Sequence, residues 1–208
     1  MLTLDSFITS DHHFGHANIP HFEPMRQQLL GEDWEKGLID RHNAVVAPTD
    51  TVLFLGDFSF LDPLRYSPLL NGHKLLILGN HDRRGLQPYR DFAYVQKGVT
   101  VNFDGHIFTQ PSTDLLLSAY IQTINGQRLG FCHYTPGYHD IYDDQRESAM
   151  ALHNRKMHID EIFTYFGVTT VLHGHLHSRP QLPPGKYRYI NCCLEHHNMM
   201  PQRLGDLL

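Results

Sequence analysis

Leu75-Leu76-Ile77-Leu78-Gly79-Asn80-His81-Asp82 joins an apolar run, short enough for a buried strand, to a glycine, an amide, an imidazole and a carboxylate without a gap. Gly79 lets the backbone turn sharply, Asn80 offers a neutral amide oxygen, and His81 an imidazole that the Asp82 carboxylate is able to orient. Alone, such a tetrapeptide says little. The same pattern, a short apolar strand spilling into Asp, Asn or His, recurs four more times along the chain.

Upstream, Phe7-Ile8-Thr9 reads as a strand that runs into Ser10-Asp11-His12-His13-Phe14-Gly15-His16. Residues 17 to 33 read as irregular, broken by Pro20, Pro24 and Gly31. Trp34, Leu38 and Val45, with Ile39 and Ala44 alongside, mark a helical stripe that Pro48 ends. Thr51 to Leu55 is a strand ending in Gly56-Asp57. Asp62-Pro63 predicts a helix start and Asn71-Gly72 its stop. Strand, helix, strand, helix, strand is the signature of parallel sheet with crossover helices.

Downstream the pattern changes. Val99-Thr100-Val101 and Ile107-Phe108-Thr109 are short strands around Asp104-Gly105. Leu115 to Ile124, Asn125-Gly126 and Arg128 to Cys132 predict a hairpin with a type I′ turn. These strands are expected to form a second sheet packed on the first. A polar, Tyr-rich loop covers 134 to 150, and a helix covers 155 to 166. Thr169 to Leu172 is a strand ending in His173-Gly174-His175-Leu176-His177. A last strand, Lys186 to Cys193, offers no obvious ligand.

At 208 residues with 41% hydrophobic content, one domain spanning 1–208 is expected. The net charge of -5 provides no basic field, so strong nucleic-acid binding is not expected. No apolar run approaches the ~20 residues of a membrane span. Met1-Leu2-Thr3-Leu4-Asp5 lacks a basic n-region, so no signal peptide is expected. Three cysteines, Cys132, Cys192 and Cys193, make no disulfide framework and point to a reducing cytoplasm. The 17 histidines exceed what such a chain needs, and imidazole is the commonest transition-metal ligand. Those at Tyr138-His139, His153, His158 and His196-His197 read as surface residues.

Five strands thus end in candidate ligands: Asp11 and His13, Asp57, Asn80 and His81, His133, and His175 with His177. Taken singly, Asp11, Asp57 and Asn80 read as turn residues and His133 as a core histidine. Loops leaving the carboxyl ends of parallel strands converge, however, so distant residues meet there. Carboxylates, an amide oxygen and imidazoles form a mixed N/O donor set without thiolate. Such a set suits Mn, Fe, Zn, Ni or Co and favours two ions over one.

In the order Asp11-x-His13, Gly56-Asp57, Gly79-Asn80-His81-Asp82, His133, Gly174-His175-x-His177, the chain resembles the calcineurin-like metallophosphoesterases. Asp11-His12-His13-Phe14-Gly15-His16-Ala17-Asn18-Ile19 resembles a compact bacterial and phage branch of that family. The resemblance spans residues 11 to 177 and implies an α/β fold: a four-layer αββα sandwich, two mixed β-sheets flanked by helices. It implies two divalent transition-metal ions, manganese foremost. Asp11, His13, Asp57 and His177 would hold one, and Asp57, Asn80, His133 and His175 the other, with Asp57 bridging. A metal-bridging hydroxide would attack phosphorus in line. His81 would assist the leaving oxygen, with Asp82 fixing its tautomer.

His16 lies near the first ligand pair as a candidate contact to substrate, and Arg83 and Arg84 are candidates for gripping phosphate. His12 is expected to point away from Asp11 and His13, His173 to pack at the strand end and Cys132 to face the core. The function implied is a phosphohydrolase, a phosphatase or phosphodiesterase acting on a small-molecule or nucleotide phosphoester. A non-catalytic scaffold of the same fold and a short-oligonucleotide nuclease are the alternatives. The loops at 14 to 33 and 134 to 150 are expected to frame the pocket.

Overall fold

β1 (Phe7–Thr9), β2 (Thr51–Phe54) and β3 (His73–Leu76) run parallel, with Phe7 opposite Val52 and Val52 opposite Lys74. The structure, a computed structural model, describes residues 1–82, 89–92, 99–110, 117–138, 149–183 and 185–208. Arg83, Arg84 and residues 139–148 of the second loop lie outside the described residues. A two-residue strand near the C-terminal end pairs antiparallel with β1 through Phe7 and Arg203, which makes this four-stranded sheet mixed.

Among the described residues the second sheet has six strands. They are β4 (Val99–Phe103), β5 (His106–Gln110), β6 (Leu117–Ile124), β7 (Gln127–Cys132), β8 (Thr170–His173) and β9 (Arg188–Asn191), in spatial order β5-β4-β6-β7-β8-β9. The two-residue strand already described, Gln202–Arg203, is β10. Asn125 and Gly126, at φ 50° and 77°, give the β6–β7 hairpin the two positive φ values of the predicted turn. β7, β8 and β9 are parallel. A parallel bridge from Ser10 to Cys193 ties the end of β1 to the end of β9. β1, β2, β3, β7, β8 and β9 therefore all point their carboxyl ends at one edge.

Three apolar cores give the layering. Ile8, Leu53, Leu55 and Ile77 from the first sheet meet Tyr120, Leu129, Phe131 and Leu172 from the second. On the outer face of the first sheet, Phe54 and Leu76 pack with Ile19, Trp34 and Leu38 from the helices α1 (Ile19–Phe22), α2 (Met25–Leu30) and α3 (Trp34–Val45). On the outer face of the second, Val101, Ala119 and Ile121 pack with Ile159 and Phe163 of α4 (Ala149–Tyr165). Helices, sheet, sheet and helix make an α/β sandwich. A last short helix, α5 (Leu204–Leu207), adds Leu204 to the core between the sheets.

The structure corrects several local expectations. Residues 17 to 33 are largely helical, because Pro20 and Pro24 sit at the helix starts, where a missing N–H costs nothing. The helix expected after Asp62 is two 3-10 turns, Pro63–Arg65 and Ser67–Leu69. Asp62 does cap the first, accepting from Leu64 N at 3.1 Å. Pro68, lacking a donor, keeps the two turns from fusing. In α3 the third core position is His42, and Val45 faces solvent. His196 and His197 are half-buried braces that bond the carbonyls of Arg179 and Asn191 at 2.7 and 2.8 Å. No helix among the described residues is long and apolar enough to cross a membrane.

Candidate metal centre

The loops leaving β1 and β2 run side by side: Asp11 N donates to the Gly56 carbonyl at 3.0 Å and His13 N to the Asp57 carbonyl at 2.9 Å. Five candidate ligands on the converging loops, Asp11, His13, Asp57, His175 and His177, hold positive φ between 48° and 71°. Non-glycine residues rarely adopt this conformation, and it clusters where side chains are aimed for a purpose.

Two glycines let the loops approach. At Gly79 a methyl would lie 2.5 Å from Asp57 N, and at Gly174 it would run into Ser10 Oγ and Asp11 Oδ2. Gly79 is not one of the glycines with positive φ. Its use is close approach, not the unusual turn read from the sequence.

The side chains meet in two adjoining groups. His13 Nε2 lies 3.6 Å from Asp11 Oδ1 and 3.1 Å from His177 Nε2, and His177 Nε2 lies 3.7 Å from Asp11 Oδ1. His133 Nε2 lies 3.0 Å from Asn80 Oδ1, 3.3 Å from His175 Nδ1 and 3.4 Å from Asp57 Oδ2. Asp57 Oδ2 is also 3.6 Å from His13 Nε2, which puts this carboxylate between the groups. All seven residues named as ligands are thus together.

The donor chemistry fits cations. Asp11 Oδ1 is buried and has no hydrogen-bond partner among the described residues, whereas Oδ2 accepts from Ser10 Oγ at 2.5 Å and His175 N at 2.9 Å. His133 Nδ1 must donate to the Leu55 carbonyl at 2.8 Å, which leaves Nε2 as a lone pair once its second proton is lost. Burial alone would raise Asp11 and Asp57, but His133 and its neighbouring imidazoles hold both below the usual carboxylate range. The same carboxylates overcome burial at His133 and draw it up to about 9. Burial pushes His13 and His175 down. The site is a buried pair of ionised carboxylates faced by imidazoles, an arrangement that positive charge relieves.

His81 is exposed at the rim, its ring stacked on Phe60 at 4.7 Å and edge-on to His13 at 5.5 Å. Its backbone N–H donates to Asp57 Oδ1 at 2.8 Å. His16 packs on Phe60 at 4.3 Å, and its Nδ1 accepts from Asn18 N at 3.2 Å. Burial and His81 lower its pKa, so neutral His16 carries its proton on Nε2.

Asp82 is a correction. Its carboxylate accepts from the backbone N–H of Asp57 and Gly79 at 2.8 Å and of Phe58 at 2.9 Å, and no hydrogen bond joins it to His81 among the described residues. It clamps two strand-end loops together instead of fixing the His81 tautomer. Burial and the Asp57 charge, against those N–H bonds, raise it to about 6.

His173 and Cys132 are buried as expected, and His12 is buried among Phe14, Phe54 and Phe58. Sequence reasoning missed Arg26 and Glu195, a buried pair against the Asp11 and His177 loops. Glu195 follows a strand end just as the recognised ligands do, and that was the signal. A fully buried arginine on a six-residue helix gives none.

No known family's sequence profile matches the chain. An uncharacterized protein of Methanocaldococcus jannaschii, MJ1445, is 34% identical over 115 residues, a match that takes in 49% of this chain and 65% of the relative, just under two thirds. In structure, the chain is similar to AQ665, a protein of unknown function from Aquifex aeolicus, with a TM-score of 0.66 and 24% identity over 94% of this chain and 93% of that one. That likeness extends to the fold of nearly the whole chain.

Proposed function

We propose that the chain is a dimetal phosphohydrolase that cleaves phosphomonoester or phosphodiester bonds of a small or nucleotide-like substrate. The sandwich would be that of the metallophosphoesterases. The observation that carries the reading is the buried Asp11 Oδ1, without a hydrogen-bond partner among the described residues, in a ring of imidazole nitrogens and a second carboxylate. Asp11, His13, Asp57 and His177 would hold one divalent transition-metal ion, and Asp57, Asn80, His133 and His175 the other. Such ions, manganese foremost with Fe, Zn, Ni or Co as alternatives, would neutralise phosphoryl oxygens and supply a nucleophile at neutral pH.

The chain's own residues do the rest. Asp82 and the two close-approach glycines hold the loops so that the ligands face one another. His81, tied through its backbone to Asp57 and steadied by Phe60, presents an exposed imidazole to the leaving oxygen. It would act as proton donor there. His16, with Nε2–H free of the Asn18 bond, is placed to donate to a substrate oxygen. Phe60 forms an aromatic wall between the two histidines. A reducing cytoplasm suits the three buried free thiols.

Purified protein with added Mn²⁺ should hydrolyse members of a panel of p-nitrophenyl phosphate, bis-p-nitrophenyl phosphate, nucleotides and cyclic nucleotides. His81→Ala should lower kcat by about 10²- to 10⁴-fold with metal content unchanged. Asp57→Asn should lose both metal and activity. A metal-loaded protein inert on the whole panel overturns the reading, and a binding scaffold then takes its place.

A further inference from the structure

Arg26 and Glu195 form an ion pair with no solvent access to either side chain. Arg26 Nε and Nη2 donate to Glu195 Oε1 at 2.8 and 2.6 Å. Its remaining bonds go to the backbone of one loop: Nη1 to the His12 carbonyl at 2.6 Å and Nη2 to the Asp11 carbonyl at 2.5 Å. The same Glu195 oxygen lies 3.5 Å from His177 Nδ1. Asn191 Nδ2 donates to the His177 carbonyl at 3.1 Å, so that ring is fixed at both its backbone and its far nitrogen.

A buried ion pair is a poor stabiliser, because two apolar side chains of like volume fill such a space without removing charges from water. Its use is better sought in what it touches. The pair touches the Asp11 loop and the His177 ring, and among the described residues none of its hydrogen bonds reaches Asn80, His133 or His175.

We propose that Arg26 and Glu195 are positioning residues for one of the two ion sites only. Glu195 accepts the Nδ1–H of His177 and so selects the tautomer that leaves Nε2 unprotonated. Arg26 holds Glu195 and pins the Asp11 loop. Asp11 Oδ1, His13 Nε2 and His177 Nε2 are thereby aimed at a common point, while the second group meets the pinned loop through the His175 backbone N–H on Asp11 Oδ2 and not through a ligand atom. Metal-bound histidines in general gain affinity from a carboxylate on the second ring nitrogen. The proposal rests on the dimetal reading.

The test is a calorimetric Mn²⁺ titration of the full chain, wild type against the Arg26→Met/Glu195→Met double variant, which keeps the volume and removes both charges. One of two binding steps should weaken by about 10- to 100-fold and the other stay unchanged. Glu195→Gln retains the Oε1 acceptor and should restore most of the loss. Ring ¹⁵N NMR of the metal-free wild type should find His177 protonated at Nδ1. Both ions binding the double variant as tightly as wild type, or both steps weakening equally, overturns the proposal. So does a wild-type His177 whose neutral ring, recorded at a pH high enough to remove its second proton, carries the remaining proton on Nε2, which decides the matter even where the double variant fails to fold. A wild type that takes up no divalent ion overturns the dimetal reading together with the proposal, an outcome distinct from the others.

Discussion

At Asp11, His13, Asp57, His175 and His177 the chain holds side chains on left-handed backbone, where each costs on the order of 1–3 kcal/mol unless the surroundings enforce it. The residue types at these positions were legible, because Asp-x-His and His-x-His spacings stand out in any sequence. The strain was not, since φ follows from how two loops pack. Roles that depend on packing were likewise hidden: Asp82 reads as a partner for His81 until its three backbone donors are seen. His175 separates strain from ligation. In the metal-free protein, His175→Asn should lose the ring's packing but no backbone fit, since asparagine tolerates positive φ. His175→Val should fall a further ~1–2 kcal/mol, because a β-branched residue does not. Urea unfolding with a chelator present measures both, and equal midpoints would remove strain from the account.

Among the elements, the strands of the parallel half were easiest to read. Each is a short apolar run stopped by a glycine or an acid, and burial on both faces leaves little alternative. The helices near 17–33 and 62–70 were misread for one reason. Proline reads as a breaker in a sequence, yet Pro20 and Pro24 start helices, and Pro68 divides the stretch after Asp62 into two turns. β10 is two residues long and has no periodicity to detect. The β2 and β3 loops touch through Gly79, so that contact belongs to the elements and not to the residue alone. Gly79→Ala should push the Asp57 loop away, costing about 1–3 kcal/mol by overpacking. It should also reduce Mn²⁺ uptake, while a methyl added at Gly105, which has open space but positive φ, should cost only the backbone penalty. Thermal melts and metal analysis of the two variants check this, and equal metal content would sink it.

Across the molecule, His12, His42 and His173 sit inside the apolar layers and stay neutral there. Burial lowers all three, His42 and His173 to about 4 and His12 well below the usual imidazole value. The unfolded chain protonates its imidazoles near 6.5, so below that pH it binds more protons than the folded chain. Stability should therefore fall as pH drops from about 6.5 toward 4, by up to ~1.4 kcal/mol per pH unit for each fully differing histidine. Asp82, raised to about 6, works the other way as one group against three. Glu195, which burial opposes but Arg26 holds at about 2, adds a further loss below about 4.5. Urea midpoints at about pH 7, 6 and 5 measure the slope, and a flat profile would contradict it.

The Ser10–Cys193 bridge, at the edge where all six parallel strands end, has a kinetic meaning. It joins positions at opposite ends of the chain, and Asp11 and His177 are separated almost as widely. Contacts of such separation form late, after most of the loop-closure entropy has been lost. The ligand cluster should then be unbuilt in the folding transition state. Ions bound there would act as a latch that slows escape from the native state and leaves the approach to it unchanged. Stopped-flow unfolding with and without Mn²⁺ should show a slower unfolding limb beside coincident refolding limbs. A metal that accelerates refolding would mean that the two sheets meet early.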